Sequence, residues 1–252
     1  MQTNTPKINN EFYNDLGERW YTDNINPVAL LRVERHLKLD YIKQILKKHH
    51  VPDNADLLDV GCGAGFLTNP LAASGYQLKG VDLSATSLET AKAHASSQFN
   101  PVYQTADAYN LPEPNQSFDV VLMMDFLEHV DNPDLAIAEA ARVLRPGGLF
   151  IFHTFNRTMI ANLLVIKAVE LVSRDCPEHM HVFHLFITPK ELQIFCQQND
   201  LTVQEFKGVR PNFWSAPFWS TVMRRKLHPD LRFTFSRSLA VGYIGYAVKT
   251  LL

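Results

Sequence analysis

Apolar runs of strand length alternate with amphipathic stretches through the middle of the chain. The apolar runs lie at residues 57–60, 78–83, 102–106, 118–124 and 149–154. The stretches whose apolar residues recur about every 3.6 positions, as in a helix, lie at residues 66–74, 87–97 and 135–144. Repeated alternation of strand and helix predicts right-handed crossovers and a doubly wound, mostly parallel α/β sheet with helices on both faces.

The pattern extends to both ends of the chain. Pro27 opens a stretch with helical periodicity that continues to residue 46. Residues 201–209 and 240–251 have the composition of strands, and we expect the last of them to be antiparallel at the end of the sheet. The predicted sheet therefore has seven strands.

A glycine turn follows the first apolar run. Residues 59–65 read Asp-Val-Gly-Cys-Gly-Ala-Gly, and Asp82 ends the next predicted strand. A strand, a glycine turn, a helix and a second strand that ends on a carboxylate bind adenosine cofactors at the carboxyl edge of a sheet. A dinucleotide fingerprint needs a third glycine where this chain has Phe66. The spacing therefore favours S-adenosylmethionine, which has no pyrophosphate to place on a helix N-terminus.

The chain is expected to form four regions around one sheet. They are an N-terminal helical cap at 1–50, a cofactor-binding core at 51–156, a lid insertion at 157–187, and a C-terminal part at 188–252 with an aromatic-basic excursion at 210–237.

Composition gives an ordinary globular background. The 252 residues are 46% hydrophobic and 20% charged, with a formal net charge of -2, which offers no overall attraction to nucleic acid. The three cysteines, Cys62, Cys176 and Cys196, form no CxxC pair, as suits a reducing compartment. No secretory signal is visible, and no apolar stretch approaches the roughly 20 residues of a spanning helix. We expect a cytoplasmic protein.

Four motifs resemble, in order, those of class I S-adenosylmethionine-dependent methyltransferases, which have a Rossmann-like fold. They lie at residues 59–65, 80–84, 127–130 and 144–148, and the resemblance covers about residues 56–156. A narrower resemblance, carried by residues 154–157, His181 and residues 188–192, is to the ubiquinone-biosynthesis O-methyltransferases. These methylate polyprenylated hydroxyphenols and catechols.

The resemblance implies a set of cofactor-binding residues. Asp82 is expected to accept hydrogen bonds from the ribose hydroxyls, and Asp107 and Ala108 to hold the adenine. Met124 is expected beside the sulfonium. The full set is Lys38, Asp59, Gly61, Cys62, Gly63, Gly65, Asp82, Leu83, Asp107, Ala108 and Met124.

Asp125, Glu128 and His129 form the candidate catalytic cluster. A helical turn that began at Asp125 would place all three on one face. Carboxylates suit Mg²⁺, and a metal there would lower the pKa of an acceptor hydroxyl. The alternative is a site without metal, in which Glu128 caps a helix and His129 acts as the general base.

Two further regions suggest acceptor and membrane contacts. Among the histidines of the lid insertion, only His181 fits the family pattern, as an acceptor-pocket residue. His153 reads as a pocket wall or core residue and is assigned no role. The apolar stretch at 159–172 is either core or an interfacial helix at an anionic membrane, and the aromatic-basic residues near 213–226 suit either a lipid headgroup interface or a solvated loop.

The sequence therefore predicts transfer of a methyl group from S-adenosylmethionine to a phenol or catechol, with a lipophilic quinone precursor as the expected acceptor. Two alternatives stay open. One is methylation of a soluble phenol, an amine or a carbon nucleophile. The other is a binder of the cofactor without catalysis. A nucleic-acid substrate is disfavoured because no Asn/Asp-Pro-Pro-Tyr loop follows the fourth predicted strand.

Overall fold

The computed structural model describes residues 7–24, 27–172 and 177–251. Cys176 lies outside these ranges. Within them the sheet has eight strands in the order β3-β2-β1-β4-β5-β8-β6-β7. The strands are β1 (Asp56–Val60), β2 (Gln77–Asp82), β3 (Val102–Thr105), β4 (Phe118–Met124), β5 (Leu144–Phe155), β6 (Leu201–Pro211), β7 (Phe233–Ser236) and β8 (Gly242–Lys249).

The predicted fold class is confirmed, but seven was the wrong number of strands. β1 to β5 pair in parallel, and β8 enters antiparallel between β5 and β6, as expected. The additional strand, β7, comes from the aromatic-basic segment and pairs antiparallel with β6 at the edge. Its four residues, Phe-Thr-Phe-Ser, alternate apolar and polar side chains, but so short a run inside the aromatic-basic segment was not predicted as a strand.

The helices cover both faces of the sheet. Ser84 caps α4 (Ala85–Ala93), because its hydroxyl accepts a hydrogen bond from the Ser87 amide at 3.2 Å. Thr188 and Glu191 form a reciprocal capping box at the start of α8. The helices are α1 (Arg19–Thr22), α2 (Val28–Lys48), α3 (Thr68–Ala72), α4 (Ala85–Ala93), α5 (Pro133–Val143), α6 (Met159–Ala161), α7 (Ala168–Val172), α8 (Pro189–Gln197) and α9 (Ala216–Arg224).

The segment after β5 leaves the sheet. α6 continues through a π-helical stretch, Asn162–Lys167, into α7. A short 3-10 turn, Phe183–Leu185, precedes the return of the chain to α8. Throughout the described part of the chain, no helix combines the length and apolar character needed to cross a bilayer.

Alternate strand residues build two cores, because successive side chains of a strand point to opposite faces. On one face Leu58, Val121 and Phe150 belong to a cluster with α5 and α8. On the other face Leu57 and Val120 belong to a cluster with α2 and α3.

The chain order places a crevice at the middle of the sheet. β1 lies between β2 and β4, so the connections leave β1 towards one side and β4 towards the other. The carboxyl ends of strands at such a reversal leave room for a ligand.

Substitution of two residues of similar size in α5 tests which face of this helix packs in the core. Ile137 is fully buried, whereas Leu135 on the same helix is 51% exposed. We expect Ile137→Ala to lower the free energy of unfolding by about 2–5 kcal/mol, because it removes buried methyl groups and leaves a cavity. Leu135→Ala should change it by less than about 0.5 kcal/mol. Urea unfolding of both variants measures the difference, and equal losses would contradict the packing of α5 described above.

Candidate active site

The glycine turn after β1 depends on conformations and spaces that other residues lack. Gly61 and Gly65 have φ of 72° and 76°, in the left-handed region. A Cβ at Gly61 would overlap the ring of Phe126. A Cβ at Gly65 would lie 2.5 Å from the Tyr103 hydroxyl, so Gly65 lets the turn pack against β3. Both glycines thus let an aromatic ring pack against the turn, and Gly61 also lines the crevice.

Asp82 ties the second strand to this turn. One carboxylate oxygen accepts from the Gly63 amide at 2.9 Å, and the other accepts from the Ser84 amide at 2.8 Å. A carboxylate oxygen has two lone pairs, so each oxygen can still accept a ligand hydroxyl. Asp59 lies deeper, where its carboxylate accepts from the Thr68 hydroxyl at 2.6 Å and burial raises its pKa to about 7.

A cavity of about 350 Å³ opens over these residues at the carboxyl ends of β1, β2 and β4. Of the predicted cofactor residues only Gly65 does not line it, for the packing reason given above. Those that do line it are Lys38, Asp59, Gly61, Cys62, Gly63, Asp82, Leu83, Asp107, Ala108 and Met124. The structure therefore brings nearly the whole predicted set to one crevice, while the contact that each makes with a cofactor stays a prediction.

Aromatic residues from the N-terminal segment cover this cavity. Trp20 is 4% exposed, and its indole N–H donates to the Ser87 hydroxyl at 3.1 Å. Tyr13 stacks on Trp20 with ring centroids 5.5 Å apart. Both residues line the cavity, although neither was predicted to do so. The aromatic residues at 12–21 were the feature of the sequence from which this contact with the cavity could have been predicted.

A second, larger cavity of about 540 Å³ adjoins the first. Its walls come mainly from the lid insertion, the start of α2 and the segment around α9, and they are largely apolar. Both cavities share four lining residues, Tyr13, Leu31, Asp125 and His129. The shared residues mark the place where a group bound in one cavity meets a group bound in the other.

Lys38 is buried at this junction between two carboxylates. Its ammonium lies 2.5 Å from Glu34 and 2.5 and 2.7 Å from the two oxygens of Asp125. Burial disfavours the ammonium, but the two carboxylates outweigh burial and raise the pKa of Lys38. The predicted cofactor residue Lys38 thus lines the cavity with its charge already paired.

Asp125 also binds His153, a residue to which the sequence analysis gave no role. The Asp125 carboxylate lies 2.5 Å from Nδ1 of His153. Burial opposes its ionisation, yet Lys38 and His153 together hold the pKa of Asp125 well below its usual range. Asp125 also has φ of 56°, a strained value for a residue with a side chain, which turns the backbone directly after β4.

The other predicted catalytic residues, Glu128, His129 and His181, have different surroundings in the structure. Glu128 faces neither cavity and instead accepts from the Thr154 hydroxyl at 2.8 Å, and burial with the nearby Asp125 charge raises its pKa. Burial lowers the pKa of His129 to about 4. His181 lines the second cavity as expected, with its ring centroid 5.2 Å from that of His129, and burial lowers its pKa to about 3.

The arrangement does not fit a metal at Asp125, Glu128 and His129. In the described ranges, the one group of acidic and histidine side chains close enough to hold an ion is Glu34, Asp125 and His153. Lys38 already bridges the two carboxylates of that group. A divalent cation in that group would have to displace the Lys38 ammonium. Mg²⁺ at Asp125, Glu128 and His129 stays a prediction.

The sequence relationships agree with this geometry. A family model described as a methyltransferase domain matches residues 58–152. A ubiquinone biosynthesis O-methyltransferase from Coxiella burnetii is 35% identical over 239 residues, covering 92% of this chain and 92% of the relative. Another protein of that name, from Actinobacillus pleuropneumoniae, is 34% identical over 215 residues, covering 82% of this chain and 89% of the relative. This chain belongs to the ubiquinone biosynthesis O-methyltransferase family.

Solved structures support the fold of this O-methyltransferase. A magnesium protoporphyrin IX methyltransferase from Synechocystis, solved with bound S-adenosylhomocysteine, superposes with a TM-score of 0.65 at 17% identity, covering 95% of this chain and 97% of that one. A methyltransferase from Thermotoga maritima superposes with a TM-score of 0.60 at 20% identity. The enzyme is an S-adenosylmethionine-dependent methyltransferase of the class I fold.

Asp82→Ala tests the cofactor cavity. Loss of the carboxylate removes both the acceptor expected for the ribose and the bond that holds Gly63, so S-adenosylmethionine affinity should fall more than about tenfold, or 1.4 kcal/mol. Glu89→Ala, on the exposed side of α4, is the control and should leave affinity unchanged. Isothermal titration calorimetry measures both, and undiminished affinity of the Asp82 variant would count against the assignment.

Proposed function

We propose that this methyltransferase methylates the hydroxyl of a phenol or catechol that carries a long apolar tail, a polyprenylated quinone precursor. One observation carries the proposal: the cofactor cavity meets an apolar cavity at a junction lined by Asp125 and His129. The ring hydroxyl would lie at the junction and the tail in the apolar cavity.

The walls of the second cavity suit an isoprenoid tail. Aliphatic and aromatic side chains from four parts of the chain line it, including Phe155, Val165, Phe218 and Val241. Each CH₂ that leaves water for such a wall contributes about 0.8 kcal/mol. A volume of about 540 Å³ lies within the usual range of ligand pockets and accommodates a ring with its first isoprene units.

The relatives support the same acceptor class. Proteins named ubiquinone biosynthesis O-methyltransferase match most of this chain at 31–35% identity. The matches cover 92–94% of this chain and so extend beyond the cofactor-binding core, which favours an acceptor of the same kind.

The chemistry asks two things of the protein. The acceptor oxygen must approach the methyl carbon in line with the bond that breaks, and the cavity junction supports that alignment. A phenol has a pKa of about 10, so a group at the junction must also take its proton near neutral pH. S-adenosylmethionine supplies the activated methyl group when bound.

Acceptors with and without a prenyl group test the tail assignment. We expect a catechol with one or two isoprene units to have at least about a tenfold higher kcat/KM than the same catechol without them, because the tail enters the apolar cavity. Val165→Asp places a charge in the cavity wall and should abolish that preference. Leu163→Asp, two residues away and 63% exposed, should preserve it in a detergent-free assay with short-chain acceptors.

Cofactor affinity of the Val165 variant reports whether it is folded. A wild-type enzyme that ignores the prenyl group, or that prefers an amine acceptor, contradicts the proposal.

We also propose that the enzyme docks on anionic membrane, where a polyprenylated acceptor resides. Exposed apolar side chains stand beside both helical segments that border the apolar cavity. Those in or next to α9 are Trp214, Trp219 and Met223, and those in α6 and the π-helical stretch are Met159, Ile160 and Leu163. Arg224 and Lys226 are exposed at the end of α9. Aromatic and basic residues together suit a lipid headgroup layer.

Charge reversal tests the membrane proposal. Each basic residue near an anionic surface contributes about 1 kcal/mol, so Arg224→Glu with Lys226→Glu should lower binding to phosphatidylglycerol vesicles at low salt at least about tenfold. Lys43→Glu with Lys47→Glu changes the same charge on exposed positions of α2 and is the matched control. Co-sedimentation measures both. Equal binding by the two double variants, or none by the wild type, would rule out docking through α9.

A further inference from the structure

The cofactor cavity has a positively charged side chain that the predicted set of cofactor residues leaves out. Arg35 lines this cavity from α2, one turn after Leu31 and one turn before Lys38, which line it as well. Residues at these spacings lie on one face of a helix, so α2 turns this face towards the cavity. The half-buried Arg35 lies within electrostatic reach of Tyr21, whose hydroxyl donates to the Ala64 carbonyl of the glycine turn at 2.8 Å.

Arg35 has no ion pair within the part of the chain that the structure describes. A neighbouring charge that it acts on is itself positive. Burial lowers the pKa of Arg32 and Asp23 opposes the fall, but the Arg35 charge lowers this pKa further. The Arg32 guanidinium donates to the Trp20 carbonyl at 2.5 Å, whereas that of Arg35 is left to attract an anion that enters the cavity.

Lys38 differs from Arg35 because its charge is balanced inside the protein. Glu34, four residues before it on the same helix, pairs with the ammonium at 2.5 Å, and both side chains are almost fully buried. This pair holds whether or not Asp125 binds another ligand, such as a metal ion. Among the lysine and arginine side chains of the described cavity wall, only Arg35 therefore has no carboxylate partner.

The order of the strands sets the direction in which the cofactor would lie. Asp107 follows β3 and Asp82 ends β2, so the adenine and ribose expected at these residues lie over that half of the crevice. The aminoacyl group leaves the ribose on the side away from the adenine, which directs it towards β1 and β4. α2 covers this end, because Lys38 reaches the carboxylate that follows β4 and Arg35 stands one turn before it.

We propose that Arg35 binds the carboxylate of the aminoacyl group of S-adenosylmethionine. This carboxylate is the one negative charge of the cofactor, which also carries an ammonium and a sulfonium. A guanidinium offers two parallel N–H donors to a carboxylate, and such charge-assisted hydrogen bonds are stronger than neutral ones. The product S-adenosylhomocysteine has the same carboxylate and would make the same contact. The proposal concerns the cofactor alone and does not depend on the acceptor proposed above.

Two ligands that differ only in this carboxylate test the contact. They are S-adenosylhomocysteine and its decarboxylated form, which keeps the adenosine, the sulfur and the ammonium. We expect Arg35→Met and Arg35→Gln each to lower the affinity for S-adenosylhomocysteine at least about tenfold, because charge-assisted hydrogen bonds are lost. Neither variant should weaken binding of the decarboxylated form. Arg35→Lys keeps the charge and should recover part of the affinity. Isothermal titration calorimetry measures all of these.

Two further variants of α2 make the outcome specific to Arg35. Lys43→Met removes a positive charge from an exposed position and should leave both affinities unchanged. Lys38→Met removes the paired cation, and we expect it to affect the two ligands alike. Undiminished affinity for S-adenosylhomocysteine in the Arg35 variants would overturn the proposal, as would equal weakening of both ligands. So would a loss confined to S-adenosylhomocysteine in Lys38→Met but not in Arg35→Met, because the carboxylate would then bind Lys38.

Discussion

The buried ammonium of Lys38 holds the two halves of the site together. It comes from α2, outside the sheet, and reaches the carboxylate that ends β4. Charged groups are buried at an acceptable cost only when they are paired. The ion pairs of Lys38 with Glu34 and with Asp125 must therefore form together. Through Asp125 the same set fixes His153 on β5. The position of α2 over the sheet, the strained turn after β4 and the orientation of one imidazole therefore depend on a single network.

That network bears on the metal that the sequence predicts beside Asp125. Acidic residues and a histidine near one another suggest a cation, and the structure supplies one as a lysine side chain. The Lys38 ammonium already supplies a positive charge between the two carboxylates. A protein cation of this kind keeps the Asp125 carboxylate charged beside the His153 ring.

Local sequence was sufficient for most of the fold and for the cofactor crevice. The strands of the parallel half carry strong period-two or fully apolar patterns, and the turn after β1 combines glycines with a strand on one side and a helix on the other. The contacts at the junction of the two cavities could not be predicted, because they join residues that are far apart in the sequence. Lys38, Asp125 and His153 come from three separate elements, and only the pairing register of β4 with β5 brings the last two together. Gly65 was predicted as a cofactor residue from its spacing, and the close approach of the Tyr103 side chain, which comes from β3, could not be read from that spacing.

The two outer strands of the sheet have a consequence for self-association. β3 and β7 border the sheet on opposite sides, and each has only four residues. A short border offers few unpaired main-chain groups to a neighbouring molecule, so growth of the sheet from one copy into the next is disfavoured. Copies of this enzyme that meet at high concentration would therefore contact each other through side chains. Because β7 pairs with β6, the longer edge of β6 is not available for strand pairing between molecules.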